Sequence, residues 1–141
     1  MSKIAVVYWS GTGNTEAMAN AVAAGAKAAG AEVTLCTAAE FSADLLEGFD
    51  AVAFGCPAMG AEVLEEEEFE PMFSACEAKL SGKKIALFGS YGWGDGEWMR
   101  TWEQSCTEDG AVFAAKSVIC NDAPDEDALA SCRALGAALC A

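Results

Sequence analysis

Residues Ser10-Gly11-Thr12-Gly13-Asn14-Thr15 follow an apolar run, Ile4-Ala5-Val6-Val7-Tyr8-Trp9, and precede an Ala-rich segment with helical spacing. A strand, a loop of glycines and hydroxyls, and then a helix make a site for an anion. The first N–H groups of a helix have no partner within it, and the helix dipole adds partial positive charge at that end. Gly11 and Gly13 let the backbone approach an anion closely, and Ser10, Thr12, Asn14 and Thr15 can add side-chain donors. A nucleoside-triphosphate loop would need G-x-x-x-x-G-K-[ST], but no lysine lies between Lys3 and Lys27. A dinucleotide fingerprint would need a third glycine where Glu16 stands. The loop therefore suits a terminal phosphate monoester held by dipoles rather than by countercharge. A polar strand-to-helix turn with an ordinary cap is the plainer alternative for this segment taken alone.

The rest of the chain alternates in the same way. Apolar runs lie at 4–9, 33–36, 51–55 and 85–89, and at 118–120 with Val112-Phe113 just before. They are continuous, as parallel strands covered on both faces require. Between them, Met18, Val22, Gly25 and Ala29 share one helical face, as do Phe69, Met72, Phe73 and Cys76, and again Leu129, Cys132, Leu135 and Leu139. Trp98 and Trp102, four apart, predict one buried helix face. Glu65–Glu68 is expected to be a solvated helix start, and Asp122, Asp125, Glu126 and Asp127 a solvated cap. Five strands alternating with helices predict an α/β, doubly wound five-stranded parallel sheet with helices on both faces, in a single domain spanning 1–141. Ligands bind beyond the carboxyl ends of such strands, so the loops after Trp9, Gly55 and Gly89 should converge.

Composition narrows the function. The chain has 141 residues, 53% of them hydrophobic, with a formal net charge of −14. That charge repels nucleic acid and anionic membranes and favours a basic partner. No histidine is present, which excludes Ser-His-Asp and Cys-His chemistry. The seven cysteines form no C-x-x-C pair, so no zinc site is expected, and they read as reduced packing residues of a cytoplasmic protein. Cys56 lies in the loop after the third strand, where packing is the expected role. Neither a secretory leader nor a membrane span is expected. No side chain is placed as a catalytic acid or base.

The two remaining loops sharpen the ligand. One reads Cys56-Pro57-Ala58-Met59-Gly60-Ala61-Glu62, the other Ser90-Tyr91-Gly92-Trp93-Gly94-Asp95. Glycines flank a polarizable thioether in the first and an indole in the second. Together with the phosphate loop they suit a flat heterocycle on a phosphate tail, stacked between Met59 and Trp93.

With S-G-T-G-N-T after the first strand, M-G-x-E after the third and S-Y-G-W-G-D after the fourth, the chain resembles a short-chain flavodoxin over essentially its whole length. The resemblance implies strand order 2-1-3-4-5 and non-covalent FMN. It implies that Ser10, Thr12, Asn14 and Thr15, with the amides of Gly11 and Gly13, hold the phosphate, and that Trp9 lies near the phosphate and ribityl chain. Met59 and Trp93 would flank the isoalloxazine, within a loop that includes Pro57 and Ala58. The Gly60 carbonyl would accept from flavin N5–H and Glu62 from N3–H, and amides around Gly92 and Trp93 would meet the pyrimidine carbonyl. Ser90 and Tyr91 would line the pocket, closed by Gly94 and Asp95. Ala61 departs from the polar or acidic residue often found at that turn.

The implied function is a low-potential one-electron carrier, cycling FMN between semiquinone and hydroquinone. It would act as a monomer between iron–sulfur or flavin enzymes with basic docking surfaces. A carbonyl at reduced N5 stabilises the neutral semiquinone by roughly 0.5–1.5 kcal/mol, or about 20–65 mV. Carboxylates near the ring, with Glu62, Glu65, Glu66 and Asp95 as candidates, would lower the second potential by up to ~100 mV before screening. The alternative is a small FMN-dependent reductase that takes electrons from a nicotinamide and passes them to quinones. A flavin-free phosphate-binding module is the third possibility.

Overall fold

A computed structural model describes residues 2–60 and 62–140. The strands are β1 (Lys3–Tyr8), β2 (Glu32–Thr37), β3 (Ala51–Gly55), β4 (Lys84–Tyr91), β5 (Val112–Phe113) and β6 (Val118–Asn121). The helices are α1 (Asn14–Ala28), α2 (Phe69–Glu77), α3 (Glu97–Glu108) and α4 (Glu126–Ala138). The parallel sheet runs β2-β1-β3-β4-β5, with β6 also on β4. This is the expected 2-1-3-4-5 order. Ile4 pairs with Ala51 and Tyr8 with Gly55, which puts the ends of β1 and β3 side by side.

The fifth strand departs from expectation because it is broken. Phe113 faces Ile85 and Val118 faces Phe88, so residues 114–117 span the distance that 86 and 87 span on β4. Within this surplus, Ser117 Oγ donates to Glu103 of α3 at 2.6 Å. Edge strand β2 differs as well. Leu35 is 39% exposed there, so coverage on both faces holds for the central strands only. The chain from β2 to β3 contributes no α-helix. It makes two 3₁₀ segments, Ala38–Glu40 and Ala43–Gly48, that bury Ala38, Phe41 and Leu46.

The two sides of the sheet pack differently. On one, α1 and α4 cross so closely that a Cβ on Gly25 would strike the Arg133 carbonyl, and one on Gly136 the Val22 carbonyl. Glycine is needed at both positions to let backbone meet backbone. Met18, Val22 and Gly25 are buried as expected, whereas Ala29 is exposed as the residue that ends α1. On the other side, aromatic rings fill the gap between the sheet and α2 and α3. Phe69 and Phe73 each meet Trp102 edge-on, at 5.5 and 5.6 Å, and Phe54 meets Phe73 at 5.1 Å. Trp98 and Trp102 are both buried, on one face of α3. No helix among the described residues is long and apolar enough to cross a membrane.

Candidate functional site: a phosphate cradle joined to two glycine-rich loops

The loops after β1, β3 and β4 meet at one end of the sheet. Trp9 N–H donates to the Gly55 carbonyl at 3.0 Å, Cys56 N–H to Phe88 at 3.2 Å, and Ala58 N–H to Ser90 at 3.0 Å. Each loop is thereby anchored to its neighbour before it turns outward. A Cβ on Gly89 would strike the Cys56 carbonyl, so glycine at 89 is what lets the second and third loops approach.

The first loop forms a cradle. Ser10 Oγ accepts from the amides of Gly13 and Glu16, at 3.1 and 3.2 Å, and folds the loop over the start of α1. Gly13 caps the helix with φ 95°, a conformation costly for any residue with a Cβ. Gly11, Thr12 and Gly13 are exposed, and the Trp9 ring lies 3.1 Å from where a Gly11 Cβ would be. Thr15 is 1% exposed, and its Oγ1 has no hydrogen-bond partner. A buried hydroxyl left unsatisfied costs about 1–3 kcal/mol. It is the signature expected where a bound oxyanion completes the bonding.

A cleft of about 560 Å³ opens over this cradle, between the loop, Thr37, Ala39 and Glu68. Among the described residues its lining includes no cationic side chain. It does hold two carboxylates, each bound by an aromatic from the end of β1. Tyr8 Oη donates to Glu16 at 3.2 Å, and Trp9 Nε1 to Glu68 at 3.0 Å. The Tyr8, Thr37 and Glu68 walls were not foreseen. Thr37-Ala38-Ala39-Glu40 did carry a local signal, because Thr-x-x-Glu is a capping box and Thr37 N–H donates to Glu40 at 2.8 Å. Glu68 offered no such clue, since its partner is 59 residues away.

The second and third loops close on one another. Met59 and Val63 bracket a turn in which Met59 N–H donates to Val63 and Glu62 N–H to Met59, at 3.0 and 2.8 Å. Gly60 is exposed, with open space where a Cβ would stand. Ala61 lies outside the described residues. Glu62 adopts φ 52°, and its carboxylate sits where a Gly94 Cβ would be, locking the two loops together. Glu62 Oε1 is buried and has no partner. Trp93 is 61% exposed, while Pro57, Ala58 and Met59 are half-buried. Ser90 Oγ is already committed to the Asp122 carbonyl at 2.7 Å, and the Tyr91 ring packs 5.6 Å from Trp98. Asp122, expected only as a solvated residue, is thus a backbone clasp as well, and its N–H donates to Tyr91 at 2.8 Å.

Two expected sources of free negative charge are already occupied. Asp95 accepts from Arg100 at 2.9 Å, and the guanidinium holds its carboxyl below the usual range. Glu65 is 5% exposed, not solvated. Burial opposes its charged form, but the amides of Phe69, Glu68 and Glu67 donate to it within 2.9 Å and hold its carboxyl below the usual value. Its own N–H donates to Cys56 Sγ at 3.4 Å. Cys56 is fully buried, its thiol pushed up to about 12 by desolvation, which fits the packing role. None of the seven cysteines is bridged.

Comparison with known proteins agrees with this geometry. The flavodoxin family model matches residues 6–136. Flavodoxin of Megasphaera elsdenii is 47% identical over 135 residues, 96% of each chain. Flavodoxin of Clostridium beijerinckii is 49% identical over 121 residues, 86% of this chain and 88% of that one. The solution structure of two-electron reduced Megasphaera elsdenii flavodoxin superposes with a TM-score of 0.89, covering 98% of this chain and 99% of that one. Sequence, topology and site thus converge: the chain belongs to the flavodoxin family and is an FMN-binding electron carrier.

Proposed function

We propose that residues 1–141 form one FMN-binding domain, in which the Ser10–Thr15 loop holds the phosphate and the Met59–Glu62 and Ser90–Asp95 loops enclose the ring. One observation carries this assignment. The buried polar atoms without partners include Thr15 Oγ1 in the phosphate cradle and Glu62 Oε1 where the ring loops meet. An anion needs a donor at the first place, and a ring N–H needs an acceptor at the second. FMN supplies one-electron chemistry. The protein binds it, orients it and sets the charge around it. Gly60, whose backbone carries no Cβ, would present its carbonyl to a ring N–H at small conformational cost. Trp93 supplies an exposed apolar plate.

The chain is an electron-transfer protein rather than an enzyme, and its relatives do not favour the quinone-reductase alternative. Its partners are redox proteins. Basic docking surfaces on those partners, a monomeric state, a cytoplasmic location and a low second potential complete the proposal, supported by the net charge of −14 and seven unbridged cysteines. The test is an anaerobic reductive titration of FMN-loaded protein followed by absorbance. Two separated one-electron steps are expected, and a single two-electron step would overturn the carrier assignment.

A further inference from the structure

A second cleft, of about 460 Å³, runs between α2 and α3 beside the ring loops. Its walls carry the indoles of Trp98 and Trp102 and four carboxylates, Glu62, Glu66, Glu70 and Glu77, with no cationic side chain in the lining. The ion pairs among the described residues engage other acids and reach none of these four. Ser74 Oγ donates to Glu70 at 2.6 Å and fixes that carboxylate on the wall. Trp102 is 3% exposed, and its indole N–H has no acceptor. The cleft adjoins the ring loops through Glu62, which lines it and also packs under Gly94.

This combination selects an occupant. Glu66 and Glu70, exposed and reached by no ion pair among the described residues, call for a cation, and the aromatic residues that line the cleft, Phe73, Trp98 and Trp102, suit one that is planar and weakly hydrated. A guanidinium meets both needs better than an ammonium does, and its three methylenes cover apolar surface. The unsatisfied indole N–H suits a carbonyl of the same occupant. We infer that the α2–α3 cleft seats an arginine side chain of an electron-transfer partner, next to the flavin loops. The inference rests on the carrier function and names where such a partner takes hold.

The test uses FMN-loaded, ¹⁵N-labelled protein, whose visible absorption reports separately that the cofactor is in place. It is titrated with Nα-acetyl-arginine methylamide, with the uncharged citrulline analogue, and with butylguanidinium. Saturable shifts are expected along α2 and α3 and at the Trp102 indole N–H, with a low-millimolar Kd for the arginine probe. The Glu66→Gln/Glu70→Gln variant should bind about tenfold more weakly. Glu126→Gln/Asp127→Asn, the same charge change on α4, should stay within twofold. Equal binding of the citrulline analogue, or shifts spread over α4, would overturn the site. Butylguanidinium binding tenfold tighter than the arginine probe would assign the cleft to free small cations instead. With the flavin spectrum intact, any of these results leaves the FMN assignment standing.

Discussion

The Trp9 indole N–H donates to the Glu68 carboxylate at 3.0 Å and so joins the end of β1 to the start of α2 across the cleft over the first loop. The same ring lies against Gly11. Removing the bond while keeping an aromatic ring should loosen the latch without unfolding the sheet. Trp9→Phe is expected to raise the FMN dissociation rate about fivefold, the equivalent of one hydrogen bond of about 1 kcal/mol. Recovery of free-flavin fluorescence after dilution measures it, and an unchanged rate would remove any role for the latch.

Thr15 predicts a change of opposite sign in two measurements. Thr15→Val keeps the shape and deletes a buried hydroxyl that has no partner in the protein alone. Apoprotein should gain about 1 kcal/mol in urea unfolding, while FMN affinity falls about tenfold and riboflavin affinity is unaffected. Parallel losses for FMN and riboflavin would place the hydroxyl away from the phosphate.

Glu65 spends its charge on the amides that begin α2. Its folded pKa is depressed, so its contribution is present above the unfolded value and disappears as pH falls through the folded one. Glu65→Gln should cost about 1 kcal/mol at pH 7, as loss of a helix cap does, and the gap to wild type should narrow below pH 4. Urea midpoints at pH 7 and pH 3.5 decide it.

Glu77 behaves in the reverse sense. Burial, followed by a hydrogen bond and repulsion from Asp109, raises its carboxyl to about 7. The native state then binds more protons than the unfolded chain between about pH 4.5 and 7, so stability declines as pH rises through that window. Glu77→Gln should abolish a decline of about 1 kcal/mol, a figure reduced for partial solvent screening. Thermal midpoints from pH 4.5 to 8 test it; a decline that persists in the variant would show that the pair does not share a proton.

Arg100 holds Asp95 at the edge of the third loop. Arg100→Gln would free that negative charge near the ring and lower the second one-electron potential by on the order of 10–20 mV at low salt. Spectroelectrochemistry at two ionic strengths reads the shift, which should shrink as salt rises.

The doubly wound parallel sheet was legible because it rests on local rules, whereas the strand order came only with the resemblance carried by the three loop motifs. Continuous apolar runs require a doubly covered sheet, right-handed crossovers put helices on both of its faces, and glycines with hydroxyls at a helix start suit an anion. The broken fifth strand was not legible. Val118–Cys120 and the preceding Val112-Phe113 read as one strand and its approach, and only the register against β4 reveals the surplus of residues 114–117. Four consecutive glutamates look alike in sequence, yet burial and amide donors make Glu65 a structural anion, Trp9 takes Glu68, and Glu66 is left beside the α2–α3 cleft.

Sequence by itself determined the kind of fold and the chemistry of each loop, because backbone freedom, side-chain donors and apolar period are properties of neighbouring residues. Tertiary structure alone decided which charges remain available, since a carboxylate's state depends on whatever distant parts of the chain bring beside it. Arg100 pairs with Asp95 and backbone amides hold the charge of Glu65, while Glu62 Oε1 stays buried without a hydrogen-bond partner between two loops.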